Sequence, residues 1–311
     1  VIVLADGSWV VSWTLFSVKT TIEEDADGQL ISVSRNDQDV WQQRYDANGN
    51  ASGDSVQVNT TTAGFQDYPS TTALDDGGWL VSWTYREPLA SGGYQEDVVF
   101  QKFDAEGNKV GGEIELDTST ATKTQSDSVS VVKALDGGGW LAMWNVGGDV
   151  KFAIYDAVGE RSGGPYGNGA SYDVIGTRVV YDAAVLDDGR ILLTWTSSNG
   201  FRNGVESFTV QQRLFDADGS TESPIVQVST SIMSNSMADA YNDVPPSTKV
   251  VALEDGGWVT VWLYGKDGSP ERTIYQQRFD SDGHKVGSED IAASFNNGYS
   301  DGYDVTATND G

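Results

Sequence analysis

Twelve residues scattered between the strand-forming runs of this chain combine flat aromatic faces with phenol, guanidinium and amide groups: Tyr85, Arg86, Tyr94, Tyr166, Tyr172, Arg202, Asn203, Tyr241, Asn242, Asn297, Tyr299 and Tyr303. Such side chains stack on the faces of sugars or peptides and hydrogen-bond to their edges. The chemistry expected of them is therefore non-covalent recognition. Proton transfer has fewer footholds. The only histidine, His284, follows the turn Asp280-Ser281-Asp282-Gly283, and the chain contains no cysteine. Sites built on several histidines, thiolate nucleophiles and disulfides are excluded. Acids are plentiful, yet no pair stands out as the two carboxylates that glycosidic cleavage needs. No catalytic residue is assigned, and the chain is expected not to be an enzyme.

Carboxylates also bind cations. In Glu23-Glu24-Asp25-Ala26-Asp27-Gly28 the alternating acids Glu23, Asp25 and Asp27 precede a glycine, an arrangement suited to Ca²⁺. The full twelve-residue loop with a terminal Glu is missing, so a solvated loop is the simpler account. The Asp-x-x-Gly turns at Asp46, Asp104, Asp156, Asp216 and Asp280 look like calcium loops at first sight. Their place between two strands is explained as well by hairpins with glycine at positive φ. No cofactor is required, and Ca²⁺ is the one ion the sequence invites. Asp67, Asp127, Asp243 and Asp301 recur before a later strand, either capping turns or facing a ligand. The formal charge of −27 repels phosphates, which argues against nucleic acid and anionic membrane surfaces as partners. No apolar run is long enough to insert into a membrane.

What positions these groups is a repeat. Asp76-Gly77-Gly78-Trp79-Leu80-Val81-Ser82-Trp83 has four further versions, ending at Trp13, Trp144, Trp195 and Trp262, and nine of the ten tryptophans lie in them. Residues four apart on a strand share a face, so the paired indoles read as packing between repeats rather than a ladder for sugars. Each repeat continues through three more short strands. We label the strands A (the tryptophan strand), B (Val40 to Tyr45 in the first repeat), C (Val56 to Asn59) and D (Pro69 to Leu74). Strand B carries a recurrent base, Arg44, Lys102, Arg213 or Arg278, expected to pair with a neighbouring repeat's carboxylate. The B–C and D–A turns are uniform, whereas the A–B and C–D connections differ in every repeat. Binding specificity is assigned to the variable end, since loops on a rigid frame usually carry it.

Units that cannot bury a core alone, repeated in this way, predict an all-β chain and a β-propeller of about five four-stranded antiparallel blades. An open array of β units is the alternative. The units run over about 1–66, 67–127, 128–178, 179–246 and 247–302, with 303–311 beginning another. The chain opens on a strand and stops where a further tryptophan strand is due, so a piece of a longer polypeptide is expected.

The pattern from Gln66-Asp67-Tyr68-Pro69 to Trp83, with Ile274-Tyr275-Gln276-Gln277-Arg278-Phe279-Asp280-Ser281-Asp282-Gly283, resembles repeats of very large secreted bacterial proteins. These are RTX-type adhesins and haemolysin-like calcium-binding proteins. Their glycine-rich calcium nonapeptide is absent here, so no residue inherits a calcium role. The resemblance implies an extracellular or cell-surface module within a longer protein, alongside other copies or domains. Together these readings lead to the expectation of a non-enzymatic adhesion module that recognises glycan or protein through its variable connections. The alternatives are a structural module of a surface filament, layer or matrix and, third, a secreted carboxylate-dependent glycoside hydrolase.

Overall fold

The computed structural model describes residues 1–24, 27–89, 92–116, 129–146, 149–163, 181–202, 205–220, 223–230, 233–236, 247–265, 271–296 and 303–307. The fold is all-β and of β-propeller type, built from antiparallel four-stranded blades. The first blade comprises β1 (Ile2–Val3), β2 (Trp9–Glu24), β3 (Leu30–Tyr45) and β4 (Val56–Gln57). The second comprises β5 (Phe65–Ala73), β6 (Trp79–Pro88), β7 (Tyr94–Phe103) and β8 (Lys109–Glu115). The third holds β9 (Val129–Ala134), β10 (Trp140–Val146), β11 (Asp149–Tyr155) and β12 (Arg161–Gly163). The fourth holds β13 (Tyr181–Val185), β14 (Ile191–Arg202), β15 (Val205–Phe215) and β16 (Val226–Gln227), with β17 (Met233–Ser236) added to β15. The fifth holds β18 (Thr248–Ala252), β19 (Trp258–Gly265), β20 (Glu271–Phe279) and β21 (Lys285–Asn296).

Each sheet runs D-A-B-C, not the A-B-C-D expected from the repeat: the D strand pairs with the A strand that follows it, as β5 does with β6. Among the described residues its ladder pairing with the preceding blade is one parallel bridge, Gln38 to Phe65, and Thr71 adds a hydroxyl hydrogen bond to Ser12 at 2.7 Å. Contacts divide the chain into two compact units. One is 1–129 with 136–140 and 156–160, and the other is 130–135, 141–155 and 161–311.

The paired tryptophans do pack the blades. In the first unit Trp79, Val81 and Trp83 of β6 lie against Val10, Val40 and Val58 of the first blade. In the second, Trp258 and Trp262 meet Leu192, Val210 and Val228 at the corresponding positions of the fourth blade. Two of the indole nitrogens are satisfied in the same manner: Trp79 Nε1 donates to Gln42 Oε1 at 2.8 Å and Trp258 Nε1 to Gln212 Oε1 at 3.2 Å.

The uniform turns behave as hairpins. Gly49, Gly107, Gly159, Gly219 and Gly283 all have positive φ, the conformation that suits glycine there. The preceding carboxylate closes the turn, Asp46 Oδ1 accepting the N–H of Asn48 and Asn50 at 2.9 and 2.8 Å. Asp280 Oδ1 does the same for Asp282 and His284.

Two further expectations are corrected. The first concerns the recurrent base. Arg44 reaches Asp6 Oδ2 and Ala105 O, and Arg278 reaches Asp255. The carboxylate belongs to the blade's own D–A turn, while a carbonyl comes from the next blade. Arg213 is not part of the series. Gln211 and Gln212 pair with Gln227 and Val226 as Trp41 and Gln42 pair with Gln57 and Val56. That register puts Leu214 in the basic position and Arg213 one residue away, on the other face, where its Nε donates to Ser223 O. The second concerns the variable A–B connections of the first and fourth repeats. Leu15–Gln38 and Ser197–Ser207 are largely continuous hairpin ribbon, with Thr20 paired to Ser34 and Ser198 to Phe208.

Candidate functional site

Strand β6 continues past its second tryptophan, and the residues beyond that point define the site. Register places Gln66, Tyr85 and Asp97 in one row across β5, β6 and β7, and Trp83, Val99 and Glu115 in the next row across β6, β7 and β8. Successive rows two residues apart share a sheet face. A cleft of about 240 Å³ opens there, lined by Thr61, Gln66, Trp83, Tyr85, Val99, Glu113 and Glu115. Its floor is apolar and fixed: Trp83 and Val99 are buried, and Trp83 Nε1 donates to Gln66 Oε1 at 2.7 Å.

Two of its acids have different work. Glu113 is committed to structure. Its Oε1 accepts the N–H groups of Thr60 and Thr61, and its Oε2 accepts the Thr61 hydroxyl at 2.7 Å. The fifth blade repeats this clasp, with Glu289 Oε2 accepting from the N–H and hydroxyl of Thr230 at 2.7 and 2.9 Å. A lysine four residues earlier strengthens it: Lys109 Nζ meets Thr60 Oγ1 at 3.4 Å, and Lys285 Nζ meets Val228 O at 2.7 Å. Glu113 therefore ties one blade to the next. Glu115, two residues further along β8, is exposed.

Tyr85 is the group that Glu115 faces. Burial, then the carboxylates of Glu87, Glu115 and Asp97, push its phenol above the usual tyrosine range. At neutral pH it is a protonated donor. Gly64 holds it in place. At φ +74° the chain passes so close that an added Cβ would sit 2.7 Å from Tyr85 Cε2 and 2.5 Å from Arg86 O.

On the opposite face of β6, Arg86 forms an ion pair with buried Asp67. Its Cζ lies 5.9, 5.9 and 5.7 Å from the rings of Phe65, Tyr68 and Tyr94. The recurrent acid at 67 thus serves an arginine. Asp127, Asp243 and Asp301 lie outside the described residues.

Of the sequence-derived candidates, the structure brings together Tyr85, Arg86 and Tyr94 on one hairpin. Tyr303 is turned inward, its hydroxyl meeting Ser247 O at 2.8 Å and Val261 O at 3.0 Å. Tyr166, Tyr172, Asn203, Tyr241, Asn242, Asn297 and Tyr299 lie outside the described residues, as does the side chain of Arg202. Of the acidic trio, Asp25 and the side chain of Glu23 lie outside them too, and Asp27 is exposed. Ligand atoms of Asp280, Asp282 and His284 come within 4.8 Å of one another, but Asp280 Oδ1 is taken up by its own turn. Sequence reasoning missed Gln66, Glu115 and Tyr68. The signal available was the alternation continuing beyond Trp83, which puts Tyr85 on the indole face.

No protein-family model and no curated protein matches this chain. Among solved structures it is similar to an ulvan lyase, described as a new family of polysaccharide lyase, PL25. The match covers 95% of this chain and 70% of that one at 13% identity, with a TM-score of 0.50. An ulvan lyase bound to -[GlcA(1-4)Rha3S]- gives 14% identity and 0.49 over the same shares. A thermostable family-43 glycoside hydrolase gives 9% and 0.35, over 95% of this chain and 97% of that one. The likeness to the ulvan lyase at a TM-score of 0.50 bears on the fold alone. The expectation of a non-enzymatic adhesion or structural module is corrected, because the fold it rested on is also that of a polysaccharide lyase.

Proposed function

We propose that this chain is a glycan-processing enzyme whose catalytic centre is the cleft of the second blade. The observation that carries the reading is the Tyr85–Glu115 pair above the fixed Trp83–Val99 floor. The polysaccharide-lyase fold supports it. Breaking a glycosidic linkage, by elimination or by hydrolysis, needs one group to protonate the departing oxygen and another to remove a proton from carbon or water. Tyr85, held protonated, is the donor. Glu115, the carboxylate at its side, is the base. Gln66 buttresses the floor through Trp83, and Gly64 sets the position of the phenol.

The test is digestion of a panel of plant, algal and fungal polysaccharides, followed by reducing-end and unsaturated-product analysis. Cleavage of at least one polymer is expected, with Glu115→Gln and Tyr85→Phe each lowering kcat by about 10²–10⁴-fold while the fold is retained. Cleavage that both variants carry out at the wild-type rate would remove the cleft from the mechanism.

A further inference from the structure

A second feature lies one residue away, on the other face of β6. Between Asp67 and Ser70 the register slips: these residues pair with Thr84 and Ser82, so β5 carries one extra residue there. Such bulges bend a strand and re-aim a side chain. The residue re-aimed is Tyr68, with φ 53°, the only non-glycine at positive φ among the described residues. That conformation is unfavourable for an aromatic residue and persists where the surroundings enforce it, often at ligand clamps. Packing does not account for it, because Tyr68 is 76% exposed.

The exposed ring has company. Tyr94, 48% exposed, stands edge-on to Phe65 at 5.7 Å, and all three rings surround the Arg86 guanidinium. Asp67 balances the arginine's charge. Two open aromatic faces flanking a charge-neutral guanidinium–carboxylate pair match a sugar ring. The rings stack on its C–H face, and the part-exposed Arg86 guanidinium offers donors to its hydroxyls. The same neutrality, on a chain of net charge −27, offers little to a uronate or sulfated sugar.

We propose that Tyr68, Tyr94 and the Arg86–Asp67 pair form a sugar-binding subsite for a neutral glycan, on the sheet face opposite the Tyr85 cleft. The choice of a sugar as occupant rests on the glycan-processing reading.

Calorimetric titration with xylohexaose, arabinohexaose, mannohexaose and a glucuronate-containing oligosaccharide tests it, with thermal unfolding as the control for folding. The wild-type chain is expected to bind at least one neutral hexaose. Tyr68→Ala and Tyr94→Ala should each weaken that binding about tenfold, and Tyr68→Phe should preserve it. Tyr68→Gly should weaken binding without lowering the melting temperature, because glycine suits φ 53°. The proposal is overturned if no neutral hexaose binds, if only the glucuronate oligosaccharide binds, or if Tyr68→Ala binds like the wild type. Binding through Tyr68 without any cleavage would sink the catalytic reading and leave the subsite standing. Cleavage with binding indifferent to Tyr68 would do the reverse.

Discussion

Replacing Lys102 by Met tests how the blades are held in register. The Lys102 ammonium is almost fully buried, its side chain 3% exposed, and donates to Asp76 Oδ2 at 2.7 Å, Gly138 O at 2.9 Å and Ala157 O at 2.6 Å. It also lies 6.0 Å from the centre of the Trp140 ring. Methionine fills similar space but leaves two carbonyls and a carboxylate without their donor. Hydrogen bonds to a charged group are each worth about 1.5–3 kcal/mol, and breaking a buried ion pair costs about 3–5 kcal/mol. Asp76 is 34% exposed and regains water, which brings the expected loss down to about 3 kcal/mol. At about 2 °C per kcal/mol for a chain of this size, that is a fall of about 6 °C in melting temperature. Lys102→Arg should lose less than half as much, because arginine fills this position in Arg44 and Arg278. Urea and thermal unfolding, read by tryptophan fluorescence, measure both variants. A loss below about 1 kcal/mol for Lys102→Met would refute the view that this cation joins the turns of adjoining blades.

Two further outcomes follow from the same geometry. Gly64→Ala places a Cβ 2.5 Å from Arg86 O and 2.7 Å from Tyr85 Cε2 at φ +74°. It should cost about 2 kcal/mol and lower kcat more than it raises KM, as steady-state kinetics beside thermal unfolding would show. The turn carboxylates make the fold acid-sensitive. Hydrogen bonds hold Asp46 and Asp104 below the usual 3.8, chiefly from the side chains of Asn50 and Asn108, and the His284 N–H does so for Asp280. A lowered folded-state value stabilises the fold above the unfolded value, and that stability is lost as pH falls through the lowered one. Stability should therefore be flat above the ordinary carboxylate range and fall below it. Asp104→Asn should flatten the fall, and unchanged acid unfolding in that variant would count against the turn hydrogen bonds.

The fold was largely legible because its signal is repeated. Trp79, Trp83, Trp258 and Trp262 recur at strand spacing and pack as that spacing requires, and the Asp-x-x-Gly turns carry their glycines at positive φ. Arg213 was misjudged because one residue of slippage on a strand reverses the face, and composition does not reveal it. The long ribbon of β2 and β3 was read as loop because polar residues alternate with Phe16, Val18 and Ile22 where no core covers them. The site was less legible than the fold. Tyr85, Arg86 and Tyr94 could be picked out by type, but Glu113 and Glu115 look alike in sequence. Only the hydrogen bonds to Thr60 and Thr61 tell the clasp from the exposed carboxylate. Tyr68 owes its exposure to a bulge, a feature of pairing that the sequence of β5 alone does not specify.

The most direct measurement is the turnover of wild-type and Glu115→Gln protein on the polysaccharide that the wild type degrades best, followed by chain-length and product analysis. The account predicts shortened chains from the wild type and a loss of about 10²-fold or more in kcat for the variant, at equal melting temperature. A panel on which the wild type shortens no glycan, or a variant that matches it, would contradict the assignment of this cleft as a catalytic centre.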